Sequence, residues 1–484
     1  MHYLPLISVV TPFIFALAII LFVRGKEIIF KALAAVSALL TFAITILMLL
    51  KRGELEYLGT QTGFLASPLT FTIGADSLSI FMSLIFSFCF LLAIIYSWSY
   101  ISHSHAKARY YALLLITQGA MQGVVLSMSL AGLFIFFELM AISIYLLVIH
   151  EEDETAMFAG AKFLFMTIGA GLAIFFGMAV TYYLGGRLDF IPGGYITASP
   201  LARYGLLAFL AGFGVKSGMV PLHIWLPDAH PAAPAPFSAL LSGCSIKTGV
   251  YGLIRVIHEV YGIETIRALS FDRVLLILAV ITIRLGSAMA LQQDQLKRRL
   301  AYSSVAQIGY VLLGVSLLTE QAMFGALFHI FSHAMMKSTL FLCAGSIITQ
   351  TGKKYISQMA GIGYRMPVVM LSFSLASMTI VGLPPFIAFI SKFNLAMAAL
   401  ETGRVILILV LLTSSMLNAL YYFPVVINAF FPRHREGTGR FTLDRVSSGM
   451  LWTTVLMASC CVIFAFLEPN WPIMLATRIA AALF

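Results

Sequence analysis

Apolar residues run along this chain in long blocks, without the alternation of a half-buried strand or the narrow stripe of a soluble amphipathic helix. Leu4–Val23, Ile28–Leu50, Leu78–Tyr100, Tyr110–Met128, Leu130–Ile149 and Ala156–Leu184 form the first series. Arg273–Leu291, Leu300–Leu318, Met323–Thr349, Pro367–Phe389, Arg404–Phe431 and Gly449–Phe466 form the second, with a short tail expected after it. Each approaches the roughly 20 residues that cross a hydrocarbon core. Counting two interrupted blocks, the pattern predicts an all-α polytopic membrane protein of about 14 transmembrane helices.

The stretch between the two series, Gly205 to Arg255, is one of the interrupted blocks. An apolar helix carrying Lys216 breaks at Met219-Val220-Pro221, and after Pro227, Pro231, Pro234 and Pro236 an apolar helix carrying Lys247 resumes. These prolines cannot share one helix, since each removes an amide donor and clashes with the turn before it. Irregular backbone at membrane depth survives only where protein buries it or water reaches it. A mid-bilayer lysine costs about 2.5–3.5 kcal/mol on insertion scales, so one on each side of a break predicts an ion path. A second break is expected at Gly382-Leu383-Pro384-Pro385, with Lys392 just beyond.

The breaks belong to a repeat. Glu154-Thr155-Ala156-Met157-Phe158 and Glu320-Gln321-Ala322-Met323-Phe324 each open a long block preceded by two helices and followed by a broken one. The implied unit is five helices, 110–258 and 273–431, and an odd number of crossings inverts the second copy. The predicted organisation is therefore 1–105 for the opening helices, 106–260 and 261–435 for two inverted repeats, and 436–484 for a C-terminal helix. Inverted repeats with matching broken helices mark transport folds.

Composition agrees. Of 484 residues 60% are hydrophobic and 10% charged, with a net charge of +10. In a soluble protein that charge would raise the question of nucleic acid. Here the basic residues sit in short connections: Arg24, Lys26, Lys31, Lys107, Arg109, Lys297 to Arg299, Lys353, Lys354, Arg365, Arg433, Arg435, Arg440 and Arg445 on one side. Lys51, Arg52, Arg187, Arg203, Arg267, Arg273 and Arg404 lie on the other, so both termini are expected on the non-cytoplasmic side, of a prokaryotic inner membrane. The first block lacks a basic start and a cleavage site, which predicts an uncleaved helix. The five cysteines lie in apolar blocks without CxxC spacing and read as buried thiols. No motif for flavin, nucleotide, haem, zinc or iron–sulfur binding is present, so no cofactor and no electron chemistry are expected of this chain.

The candidate chemistry lies in ionisable residues inside apolar blocks: Glu138, Lys162, Lys216, Lys247, Arg284, His329, His333, Lys337 and Lys392. Each is costly unless paired or hydrated. Glu138 and Lys216 have opposite charge, and either a static pair or a switching pair fits. His329, His333 and Lys337 step by four and share one helix face; with no carboxylate on that helix a proton relay is preferred to a metal site. Lys162 and Arg284 lie near block ends, where snorkelling and function are both open. His223, Trp225, Asp228 and His230 follow the first break, to line an access path or to satisfy loose backbone. Asp76 is placed to cap the third helix, and Glu151 to Glu154 read as a solvated loop and cap.

Val215 to His230, Pro234 to Gly243 and Ile246 to Tyr251, together with Gln295 to Tyr310 and the His329–Lys337 segment, resemble the signature of antiporter-like membrane subunits. That family is shared by respiratory complex I, Mrp-type cation/proton antiporters and membrane-bound energy-converting hydrogenases. The resemblance covers about residues 76–392. It implies two inverted five-helix repeats, Glu138 and Lys216 as the charged pair of a first half-channel, Lys247 as the connecting residue and Lys392 as the terminal residue of a second. Ala388 stands where glycine is usual, and the long lateral helix of the largest complex I homologue is not in this sequence. Lys162, His223, His329, His333 and Lys337 complete the expected proton path. The function implied is proton translocation within a redox-driven multisubunit membrane complex alongside further antiporter-like chains; the alternative is a Na+/H+ antiporter subunit without redox chemistry.

Overall fold

A backbone withdrawn from water must bond to itself, and the apolar blocks do so as helices. The computed structural model describes residues 2–22, 26–51, 58–60, 71–431, 445–467 and 470–484. In chain order the α-helices are α1 Leu4–Phe22, α2 Glu27–Lys51, α3 Ser77–Tyr100, α4 Lys107–Leu126, α5 Leu130–Val148, α6 Glu154–Gly185, α7 Pro200–Ser217, α8 Leu226–Ala232, α9 Ala235–Leu240 and α10 Ile246–Arg255. There follow α11 Ile263–Ala268, α12 Phe271–Leu291, α13 Leu296–Leu317, α14 Glu320–Thr351, α15 Ile362–Arg365, α16 Pro367–Val381, α17 Ile387–Glu401, α18 Ile406–Phe430, α19 Ser448–Ile463 and α20 Trp471–Leu483. π-helical turns at Leu241–Ser245 and Val256–Tyr261 join α9 and α10 into one rod from Ala235 to Tyr261. Ten helices among the described residues are long and apolar enough to cross a membrane.

Burial sorts the helices into an inner and an outer set. The 235–261 rod, α13 and α14 are buried along their length, whereas α1, α2, α12 and α18 bury well under half of theirs. The outer faces present Phe165, Leu172, Ile406 and Leu412, while serines, lysines and histidines fill the centre. Apolar outside and polar within is the reverse of a soluble protein and suits a lipid surround.

Side-chain caps fix several helix starts. Asp76 accepts from the Ser79 amide at 2.8 Å and Asp153 from that of Ala156 at 2.6 Å. The Thr155 hydroxyl and the Ala156 amide hold the Asp153 carboxyl below its ordinary range. Thr319 caps α14 in the same way, so the matching segments at Glu154 and Glu320 both open helices of 32 residues.

Four expectations need correcting. The tail is a helix: Asn470 caps α20, and Leu475, Ala476, Ile479 and Ala480 bury one face of it. Second, α13 begins at Leu296, because the Leu296 amide bonds the Lys354 carbonyl and orders the preceding loop. Lys297 to Arg299 therefore occupy its first turn, and Lys297 is buried with its ammonium donating to the Ala233 carbonyl at 2.8 Å. Third, α17 runs on to Glu401, which places Lys392 inside a helix. Fourth, the helices are accompanied by a short antiparallel ladder, β1 Leu58–Thr60 with β2 Ile73–Ala75. Val23, Arg24, Arg52, Arg433, Arg435 and Arg440 lie outside the described residues.

Candidate functional site: a buried line of charges

Both expected breaks are present, and glycine makes each. Gly218 ends α7 at φ 74° and Gly382 ends α16 at φ 88°, a region in which a Cβ is strained. The prolines past the first break sit in the first turns of α8 and α9 or just ahead of them, where a missing amide costs nothing, except Pro231 within α8. Ending a helix leaves its last carbonyls short of their full set of donors, and side chains supply more. The Trp225 indole donates to the Val215 carbonyl at 2.8 Å. At the other break Lys392 Nζ donates to the carbonyls of Ile380 and Val381 at 2.8 and 3.0 Å.

The lysines are inside. Lys216, Lys247, Lys337 and Lys392 expose 6%, 0%, 0% and 8% of their surface, so each meets protein groups instead of lipid. Lys216 Nζ lies 3.8 Å from Glu138 Oε1 and 5.5 Å from the centre of the Phe137 ring, and neither charged atom has a hydrogen-bond partner in the protein. Gly171 of α6 makes room for the carboxylate, since a Cβ there would fall 2.8 Å from Oε1. A void of about 10 Å³ beside Lys216, lined by Met140, Thr167, Trp225 and Ser245 among others, is near the lower limit for one water.

Close helix approach carries the line onward. Gly249 of α10 lets the rod rest on the Phe213 carbonyl and Ser217 amide of α7, beside Lys216 and Lys247. Lys247 Nζ donates to the Ser242 carbonyl at 2.5 Å, within a π-helical turn that offers it, and the Ser242 hydroxyl meets that of Ser304 on α13 at 2.7 Å. Lys337 Nζ bonds the Leu300 carbonyl at 2.9 Å, the Ser303 hydroxyl at 2.7 Å and the Tyr422 hydroxyl at 3.1 Å. His329 and His333 stack at 6.2 Å and 9°, as the four-residue step requires. His333 is fully buried with neither ring nitrogen bonded to protein; His329 bonds Gln307 at 3.1 Å and Ser391 at 2.8 Å. Ser391 adjoins Lys392, whose third partner is the Ser415 hydroxyl at 3.0 Å, with the Tyr310 ring 4.9 Å away.

The remaining candidates lie at one end or off the line. Lys162 pairs with Asp228 at 2.7 Å, and Arg298 reaches the other carboxylate oxygen at 3.5 Å. Asp228 and Arg298 line an open hollow of about 930 Å³ with Glu151, Asp153, Lys297 and Lys354. His223 is half-buried with its ring 6.2 Å from that of Tyr302. His230 is buried against the Phe341 ring at 4.5 Å, with no protein partner on either nitrogen. Arg284 is half-buried on α12, and no ion pair of it joins the line.

Sequence reasoning missed Ser242, Ser303, Ser304, Gln307 and Tyr422, which bridge the charged groups. The signal available was Ser303-Ser304 and Gln307 clustered at three- and four-residue steps in a largely apolar block. It also missed Arg255 and Glu259, which sit in the rod beside Asp76.

A polytopic helical protein with lysines lined up inside it and broken helices at both ends of the line defines a class of ion-conducting membrane subunit. Residues 127–418 match the family model described as NADH:quinone oxidoreductase/Mrp antiporter, TM. The chain is 31% identical to NADH-quinone oxidoreductase subunit N of Desulforudis audaxviator, over 96% of each chain. It is 30% identical to Hydrogenase-4 component B of Escherichia coli, over 83% of this chain and 63% of that one. A chain from the Mrp complex of Dietzia sp. superposes with a TM-score of 0.89 at 20% identity, covering 100% of this chain and 97% of that one, which bears on the fold alone. The chain belongs to the NADH:quinone oxidoreductase/Mrp antiporter family and is an integral membrane protein.

Proposed function

We propose that this chain is the proton-translocating subunit of a redox-driven membrane complex, made of fourteen crossings that include two inverted five-helix repeats, about 106–260 and 261–435. Adding α4, the broken α7–α8 and α16–α17 and the short α19 to the ten long helices supports that count. The observation that carries the function is the line Lys216, Lys247, Lys337, His333, His329, Lys392, buried across both halves, joined at Lys216 by the one-third exposed Glu138 and bridged along its length by hydroxyl and amide side chains. Groups that share protons and have no ordinary structural reason to be in an apolar interior suit proton transfer. When the Glu138 carboxylate moves toward or away from Lys216 it changes the proton affinity of that ammonium. The change passes by Lys247 and the histidines to Lys392. Lys162 and Asp228 stand where the hollow meets the first half, and His223 beside them lines the access path.

Electron transfer belongs to other chains, as the kinship with a quinone oxidoreductase subunit supports, and the partners include further antiporter-like membrane subunits. Both termini face the non-cytoplasmic side of a prokaryotic inner membrane, with the hollow, lined by Lys297 and Lys354, on the cytoplasmic side. A sodium/proton antiporter subunit is the weaker reading, since a hard cation prefers several oxygen ligands and Glu138 is the single carboxylate on the described line. Proton uptake by inverted membrane vesicles, driven by the redox donor of the parent complex, tests the proposal. Lys216→Ala and Lys392→Ala each abolish it if the line conducts, and normal uptake in both variants ends it.

A further inference from the structure

The 235–261 rod carries four buried polar residues at a constant step of four: Lys247, Tyr251, Arg255 and Glu259. A step of four keeps them on one face, and twelve residues carry that face roughly 18 Å from Lys247 toward the end of the rod opposite the hollow. Tyr251 donates its hydroxyl proton to the Val125 carbonyl at 2.8 Å and accepts from Arg255 Nε at 3.0 Å. On α3, Ser79 and Ser83 line the same seam, and the Ser83 hydroxyl donates to Gln122 at 2.5 Å.

At the end of this face one guanidinium meets two carboxylates. Arg255 Nη1 donates to Asp76 Oδ2 at 2.6 Å and to Glu259 Oε1 at 2.5 Å, and Nη2 donates to Asp76 Oδ1 at 2.8 Å and to the Ser79 hydroxyl at 3.0 Å. With Nε on Tyr251, all five guanidinium protons are used. Asp76, bound by both arms of the fork, already balances the arginine. Glu259 is then a second carboxylate on a charge that is spoken for. It is 7% exposed, and its Oε2 is buried with no protein partner. Two ionised carboxylates on one saturated arginine leave a net buried negative charge, which a proton on Oε2 removes.

We infer that Glu259 is a proton-holding site at the end of the first half opposite the hollow, with its unpartnered Oε2 the atom that takes the proton. The inference rests on the proposed function for the direction in which the proton moves, though not for the site itself. The groups around Glu259 are Arg255, Tyr251 and His258 on its own rod and Asp76 on the approach to α3. Arg187 and Asp189 of the covering loop pair with each other at 3.4 Å. The last turn of α20 closes over His258, whose Nδ1 lies 3.3 Å from the Leu483 carbonyl. One proton is taken up by Oε2 and released from it, with no other bond made or broken.

Infrared difference spectra of membranes containing the assembled protein, recorded between acid and alkaline medium, test the site. The expected result is a carboxylic C=O band that titrates, vanishes in Glu259→Gln, shifts in Glu259→Asp and persists in Lys216→Ala. Proton uptake by vesicles is expected to fall about tenfold in Glu259→Gln. Glu259→Asp carries the band assignment where Glu259→Gln accumulates poorly. No titrating band assignable to residue 259, or normal uptake in a well-folded Glu259→Gln while Lys216→Ala is inactive, overturns the inference and leaves the proposed function standing. A titrating band together with normal uptake in Lys216→Ala upholds the site and sinks the reading of the central line.

Discussion

The two breaks use the same backbone device and opposite side-chain solutions. In each, glycine in the left-handed region ends a helix at mid-depth and frees carbonyls that carry the negative end of the helix dipole. At the second break Lys392 takes those carbonyls itself and adds the Ser415 hydroxyl, so its charge is held by fixed dipoles at three contacts of 2.8 to 3.0 Å. At the first, the Trp225 indole has the Val215 carbonyl, and Lys216 is left with Glu138 at 3.8 Å and no hydrogen bond. A loose pair with a water-sized void beside it separates at low cost, whereas a triply bonded ammonium does not. On the function proposed above, the switching step falls to the first half and the holding step to the second.

That contrast breaks first where the lysines are removed. Lys216→Ala and Lys392→Ala should each lower proton uptake by about 100-fold or more; equal, small effects would mean that neither half conducts through its lysine. Glu138→Gln comes next. It leaves Lys216 without its countercharge, and uptake should fall about tenfold while the thermal stability of the purified chain in detergent changes little, because the carboxylate is one-third exposed. A stability loss as large as the activity loss would make the pair structural. Trp225→Phe leaves the Val215 carbonyl with the Gly218 amide alone and should cost roughly 1 kcal/mol of stability, read as a lower unfolding midpoint. It should disturb uptake more than its mirror, Ser415→Ala. The latter removes one of three contacts on Lys392 and should cost at most about 1 kcal/mol, the smallest effect of the set. If Ser415→Ala outweighs Trp225→Phe in uptake, the holding half is the more sensitive one and the assignment reverses.

Much of this was legible beforehand, for reasons specific to membranes. A lysine in an apolar block is expensive, so Lys216, Lys247 and Lys392 announce a buried role, and each is indeed enclosed. Glycine and proline punctuate helices locally, so both breaks lay where Gly218 and Gly382 put them. Lys297 shows the limit. Read as one of three basic residues in a connection, it is instead buried in the first turn of α13, because a bond from Leu296 to Lys354, distant in sequence, moves the helix start. Arg255 and Glu259 drew no reading from the sequence. Their value depends on Asp76, 179 residues away from Arg255.

The order of residues alone determined that the chain lives in a bilayer, where its helices break and which charges must be hidden, since those follow from hydrophobic length, backbone sterics and the cost of an unpaired ion in hydrocarbon. Tertiary structure alone decided which groups meet. A lysine bonded to carbonyls and a lysine beside a carboxylate have the same sequence signature, and only the meeting of α7 with α5 at Lys216, and of α17 with α16 and α18 at Lys392, separates them. Hydrogen bonds reach about 3 Å and have no memory of sequence distance.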